Sequence, residues 1–126
     1  GVGGKVEENE SIEDAVRRET FEEIMVKVKA IRKYGELSFA FPHKPDWNQV
    51  VHVYCSDTWE GLPTETEEMN PDWFTVEAIP YSSMWPDDIF WLPKVLEGKF
   101  VQGSFVFSEG DSIVEQEVSV VEESSF

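Results

Sequence analysis

The chain is poor in the residues that most often carry covalent or redox chemistry. Its 126 residues include one cysteine, Cys55, and two histidines, His43 and His52. A lone thiol excludes an internal disulfide framework, and no run resembles a signal peptide, so a reducing, cytoplasmic setting is expected. The histidines fall on loop-like and strand-like segments and suggest no Ser-His-Asp arrangement, and Cys55 reads as small core filler at a strand end. Apolar runs are short, none approaching the ~20 residues that span a bilayer. Positive charge is also scarce: ten Lys and Arg stand against 26 Asp and Glu, a formal net charge of −16. Such a surface repels nucleic acid polymers and anionic membranes, and neither is expected as a partner. A small anionic nucleotide stays open to it, provided that a cation and local donors neutralise the phosphates.

Bulky apolar material is plentiful, with five Trp, three Tyr and nine Phe. That suffices for one domain with a real core, expected over residues 1–121, followed by a frayed acidic tail at 122–126. Ser11, able to cap with Asp14 three residues on, predicts a helix from about Ser11 to Ile24, burying Ile12, Ala15, Val16 and Phe21. Alternation over Val26, Val28 and Ala30, and again over Leu37, Phe39 and Phe41, predicts two strands turning near Gly35. Val50 to Cys55, more uniformly apolar, suits a central strand, and Asp72 to Val76 a further short one. Ser56 to Pro71 reads as a loop. A second helix is expected from Pro86 to Glu97, kinked or interrupted by Pro93 and closed by Gly98. Lys99 to Phe107 and Ser112 to Val120 read as antiparallel strands around Glu109-Gly110-Asp111. Periodicity alone therefore gives an α+β protein.

The most informative stretch runs from Gly4 to Val26. Gly4 is followed by five residues and Glu10, then by seven residues and Arg18-Glu19-Thr20-Phe21-Glu22-Glu23. Glu19, Glu22 and Glu23 stand at i, i+3 and i+4, so one helical face carries all three. Like charges at those offsets repel unless a divalent cation sits among them, and oxygen ligands of this kind suit Mg²⁺ or Mn²⁺. The pattern points to metal-assisted attack on a diphosphate. The bland alternative is a solvated acidic helix face, the commoner fate of a charge run.

This stretch resembles the Nudix box, G-x5-E-x7-R-E-U-x-E-E-x-G-U, with U a bulky aliphatic residue. Gly4, Glu10, Arg18, Glu19, Glu22, Glu23 and Val26 match. Thr20 replaces an aliphatic residue, and Met25 replaces the glycine whose left-handed conformation closes the last helical turn, so the helix exit is the part of the box the residues leave open. The resemblance implies an α/β/α sandwich around a central mixed sheet. Because the chain opens inside the loop that precedes the box helix, it is expected to lack the N-terminal β segment of that fold. Self-association through the sheet edge so exposed is a further expectation.

Beyond the box, Ile12-Glu13-Asp14, Val51-His52-Val53, Glu67-Glu68-Met69, Trp73-Phe74, Ile79-Pro80 and Met84-Trp85-Pro86-Asp87-Asp88 resemble, in order, the animal-type MutT homologues within this family, which hydrolyse oxidised purine nucleoside triphosphates such as 8-oxo-dGTP. The resemblance implies metal coordination by the carbonyl of Gly3 and by Glu19, Glu22, Glu23 and Glu68. Glu22 or Glu68 would take the proton of the attacking water, and Glu10 and Arg18 would brace the loop and helix. Val2, Gly3, Gly4 and Lys5 would meet phosphate or sugar. Trp85 would stack on the base while Asp87 and Asp88 hydrogen-bond its edge, one holding a proton and the other accepting. Phe39 would wall that pocket, although an alternating aromatic on a strand is more often core, and Pro86-Asp87-Asp88 also reads simply as a helix start. The family's methionine ahead of the Val-His-Val strand is replaced by Trp47-Asn48-Gln49, and its nucleotide-touching threonine, lysine and asparagine ahead of the glycine loop are absent. The implied activity is Mg²⁺-dependent hydrolysis of a nucleoside triphosphate to monophosphate and pyrophosphate. The alternatives are a hydrolase for another nucleoside diphosphate derivative, and an inactive, truncated module that binds nucleotide or a partner.

Overall fold

A computed structural model describes residues 2–126. Helix α1, Ile12–Ile24, begins where the cap signal places it: Ser11 is extended, and its Oγ accepts the Asp14 N–H at 3.1 Å. One of the helix's first, otherwise partnerless amides is thereby satisfied. The buried side differs from expectation: of the four residues expected there Ala15 is buried, Ile12 and Val16 are half-buried and Phe21 is exposed. Thr20 is buried with Ala15, while Phe21 is 43% exposed beneath the Lys27 ammonium. Thr20 can enter the interior because its hydroxyl donates to the Val16 carbonyl at 2.7 Å, so no polar group is left without a partner. At the exit, Met25 adopts φ 59° and ψ 31°, and its N–H donates to the Phe21 carbonyl. The left-handed closure survives without glycine, at a strain of about 1–2 kcal/mol.

Six strands follow among the described residues: β1 Lys27–Val28, β2 Arg32–Ala40, β3 Gln49–Cys55, β4 Trp59–Glu60, β5 Phe100–Phe107 and β6 Ile113–Val121, with helix α2, Asp88–Leu96, ahead of β5. The chain forms two compact units, Gly1–Arg32 with Tyr54–Phe74, and Lys33–Val53 with Thr75–Phe126. In the first unit β1 and β4 pair antiparallel, Lys27 opposite Glu60 and Val28 opposite Trp59. The segment expected to be all loop thus contributes a short strand. Asp72 to Val76 does not form the strand expected of it: Asp72 Oδ1 accepts the Trp73 amide at 2.9 Å, and a 3-10 turn follows at Val76–Ala78. A side chain that bonds its own neighbour's backbone competes with a sheet ladder.

The second unit is built on a four-stranded sheet in the order β3-β2-β5-β6. β2 runs parallel to β5, from Gly35 opposite Val101 to Ala40 opposite Val106, and β5 runs antiparallel to β6. The sheet is therefore mixed, as expected. Gly35, read as a turn, lies inside β2 instead: a Cβ there would stand 3.2 Å from Val101 Cγ2 and 3.3 Å from Val53 Cβ. It permits close approach of neighbouring strands rather than a change of direction. β3, read as central from its apolarity, is an end strand of this sheet. Leu37, Val101, Phe105 and Phe107 are fully buried, and Phe39 stacks on both Phe105 and Phe107. Each such side chain contributes roughly 1.5–3 kcal/mol on burial. Helix α2 lies against β5 and β6, burying Val95 and setting Phe90 beside Phe105. Pro93 sits within α2 without interrupting it, and Gly98, at φ 86°, follows its end. The β5–β6 turn closes through the Ser108 amide on the Ser112 carbonyl. Glu122 to Phe126, expected to fray, forms a 3-10 turn at Glu123–Ser125, and Phe126 meets Phe100 edge-on with Lys33 over its ring. No helix among the described residues is long and apolar enough to cross a membrane.

Candidate active site

The acidic stripe of α1 is organised around one guanidinium. Arg18 donates to both Glu10 carboxylate oxygens at 2.8 and 3.0 Å, to Glu19 at 2.9 Å, to Glu22 at 3.2 Å and to the Lys5 carbonyl at 3.0 Å. Glu10 in turn accepts the Glu7 amide at 3.1 Å. The planar fork suits this role because it grips one carboxylate with two parallel bonds and still reaches others. Bonding to Arg18 holds the Glu10 carboxyl below its ordinary range, and bonding to Glu10 keeps Arg18 firmly charged. These bonds tie the entering loop to the helix and join Glu19 and Glu22 to one guanidinium.

Gly4 packs directly on that cluster. A Cβ at Gly4 would overlap the Glu19 carboxylate, so the loop approaches this closely only because no side chain is there. The Gly3 amide donates to Glu23 at 3.2 Å. Burial pushes the Glu23 carboxyl up, the Gly3 amide pulls it back, and the charges of Glu19 and Glu68 raise it further. Val2, Gly3, Gly4 and Lys5 are exposed along the entering loop.

Glu68, far along the chain, joins this group. Carboxylate oxygens of Glu19, Glu22 and Glu68 lie within 4.8 Å of one another. Small side-chain rotations would bring three such oxygens to the ~2.1 Å ligand distances of an octahedral dication. The donor set is hard, anionic and partly exposed, and it fits Mg²⁺ or Mn²⁺. Of the proposed metal-binding side chains, Glu23 stands beside this trio, engaged with Gly3, rather than within it.

The segment read as a base site belongs to the second unit. Trp85 is 53% exposed, its ring edge-on to Phe107, and with Ser83, Met84, Pro86 and Asp111 it lines a hollow of about 270 Å³. Asp87 is buried and accepts the Trp91 Nε1–H at 2.8 Å. Burial, together with the neighbouring Asp87 charge and a bond that protonated Asp88 donates to Asp87, pushes the Asp88 carboxyl up to about 6. Two acids with one proton between them offer a donor and an acceptor side by side. Phe39 is part of the aromatic stack on Phe105 and Phe107, which is where its strand alternation put it. Trp91 escaped the sequence reading, although its i+4 spacing from Asp87 on a helix was the signal available.

A NUDIX domain model matches residues 1–95. The chain belongs to the Nudix family. Within it, the chain is 43% identical over 114 residues to the oxidized purine nucleoside triphosphate hydrolase of Mus musculus, an alignment covering 90% of this chain and 72% of the relative. It is 42% identical over 123 residues to the protein of the same name from Danio rerio, covering 98% and 78%. The crystal structure of a mutator MutT protein from Bacillus halodurans superposes with a TM-score of 0.85 at 22% identity, covering 94% of this chain and 80% of that one. The mixed α/β architecture is accordingly a Nudix fold.

Proposed function

We propose that this Nudix protein hydrolyses oxidised purine nucleoside triphosphates, of the 8-oxo-dGTP class, to the monophosphate and pyrophosphate, and so cleans the nucleotide pool of a reducing cytoplasm. The observation that carries the reading is the convergence of Glu19, Glu22 and Glu68, from a helix and a distant loop, within 4.8 Å, with Arg18 bonded to the two helical glutamates. Both named vertebrate relatives are oxidized purine nucleoside triphosphate hydrolases and span most of the chain, which supports the substrate class.

When bound, Mg²⁺, or Mn²⁺ in its place, supplies charge neutralisation on the phosphates and a lowered pKa for water. Glu19, Glu22 and Glu68 hold it, with Glu23 and the Gly3 carbonyl completing the set. Glu22 or Glu68 takes the proton of the attacking water. Glu10 and Arg18 keep Glu19 and Glu22 aimed, and the exposed Val2 to Lys5 loop meets the phosphates and sugar. Trp85 stacks on the base, and the Asp87–Asp88 pair reads its edge, Asp88 taking up a proton where the base offers an acceptor. Phe39 supports the aromatic floor. β3, an end strand with no charged side chain, is the edge through which copies would associate; sedimentation across a concentration series checks this, and a single monomeric species throughout would remove it.

The deciding experiment is pyrophosphate release from 8-oxo-dGTP and dGTP measured in parallel with and without Mg²⁺. Release that needs Mg²⁺ and favours the oxidised nucleotide is expected. Release from neither, by folded protein, would defeat the proposal, and activity on a nucleoside diphosphate derivative instead would redirect it.

A further inference from the structure

Glu68 lies on a loop, yet it stands among side chains fixed on a helix, and something must hold it there. The last carbonyls of an α-helix have no partner within the helix. In α1 two of them are met from this loop: the Thr64 amide donates to the Ile24 carbonyl at 2.9 Å, and the Thr66 hydroxyl donates to the Glu23 carbonyl at 2.6 Å. The same Thr66 oxygen accepts the Glu68 amide at 3.3 Å, while the Thr66 amide donates to the Met69 carbonyl at 2.9 Å. One hydroxyl therefore touches the backbone of both glutamates, Glu23 on the helix and Glu68 on the loop. The docking continues upstream in register: Gly61 packs on the Met25 carbonyl, and Glu60 and Trp59 pair with Lys27 and Val28.

We propose that Thr66 is a positioning residue that sets Glu68 against Glu19 and Glu22, its hydroxyl bridging the end of the helix to the turn that bears the loop acid. The inference rests on the dication reading above and deepens it. Its physical content is simple: one Oγ donates to a helix end and accepts from the turn bearing Glu68, so losing it loosens that turn beside the remaining Thr64 anchor without removing any ligand. Groups that orient metal ligands typically change affinity by about 10–100-fold when removed.

The test is Mn²⁺ affinity of the whole chain, measured by electron paramagnetic resonance of free Mn²⁺, in wild type, Thr66→Val, Thr66→Ser, Glu68→Gln and Glu22→Gln, with thermal melting of each. Thr66→Val is expected to weaken Mn²⁺ binding about tenfold, to match Glu68→Gln, and to add little when combined with it. Thr66→Ser, which keeps the hydroxyl, is expected to restore wild-type affinity. Unchanged Mn²⁺ affinity in Thr66→Val, whether or not its melting temperature falls, would overturn the inference, as would failure of Thr66→Ser to rescue. Failure of the underlying reading looks different: wild-type Mn²⁺ binding would then be indifferent to Glu22→Gln. A protein that binds Mn²⁺ as described but spares oxidised nucleotides would refute the substrate proposal and leave the role of Thr66 standing.

Discussion

Replacing Asp88 by asparagine should make the protein more stable at neutral pH and worse at recognising its base. The Asp88 carboxyl is raised from 3.8 to about 6 by burial, by the neighbouring Asp87 charge and by the bond between them. A carboxyl whose folded pKa exceeds its unfolded one contributes most stability below the unfolded value and loses it as pH rises through the folded value. The loss therefore runs from about pH 3.8 to about 6 and is complete at pH 7. The interval from 3.8 to about 6 corresponds to roughly 3 kcal/mol. Asp88 keeps part of its surface in water, and screening reduces this to about 1–2 kcal/mol. Calorimetric melting of wild type and Asp88→Asn in parallel from pH 4 to 8 isolates the effect, because the self-repulsion of a chain of net charge −16 is nearly common to both. The stability advantage of the variant should grow by about 1–2 kcal/mol between pH 4 and 6, about 5 °C in melting temperature, and then stay flat. A difference that does not change with pH, or a variant that loses ground above pH 6, would refute the reasoning.

Other substitutions probe other parts of the account. Glu22→Gln should abolish turnover while leaving the melting temperature unchanged or slightly raised, since it removes one of several crowded like charges; near-wild-type activity would contradict the assignment of Glu22. Gly4→Ala should push the Glu19 carboxylate aside and weaken Mn²⁺ binding about tenfold or more, measured by calorimetric titration. Met25→Gly should relieve about 1–2 kcal/mol of left-handed strain, less about 0.5–1 kcal/mol for glycine's greater freedom when unfolded, so chemical denaturation should show a small gain or no change. Phe105→Ala should cost about 3–5 kcal/mol in the same assay, because Phe105 is buried between Phe39 and Phe90.

What could be read from residues alone was what local physics decides. The Ser11 cap, the helical stripe of Glu19, Glu22 and Glu23, and the β5–β6 turn each rest on contacts a few residues apart, and each stands where it was expected. Readings failed where the deciding partner lies far along the chain. Gly35 looked like a turn because nothing nearby reveals Val53 and Val101 closing on it. The apolar run of β3 says that it is a strand but not that it ends the sheet. Thr20 and Phe21 exchanged places because a threonine that bonds its own helix can be buried, which polarity scales do not register. The site divides the same way: Glu19, Glu22 and Glu23 could be read from spacing, whereas the bracing by Arg18 and Glu10 and the part of Glu68 came from family resemblance, and Thr66 from neither.

The most direct measurement of the central claim is anomalous diffraction from crystals grown in Mn²⁺. An ion bonded to carboxylate oxygens of Glu19, Glu22 and Glu68 together is expected. An ion held elsewhere, or the three carboxylates turned apart with none between them at saturating Mn²⁺, would contradict it.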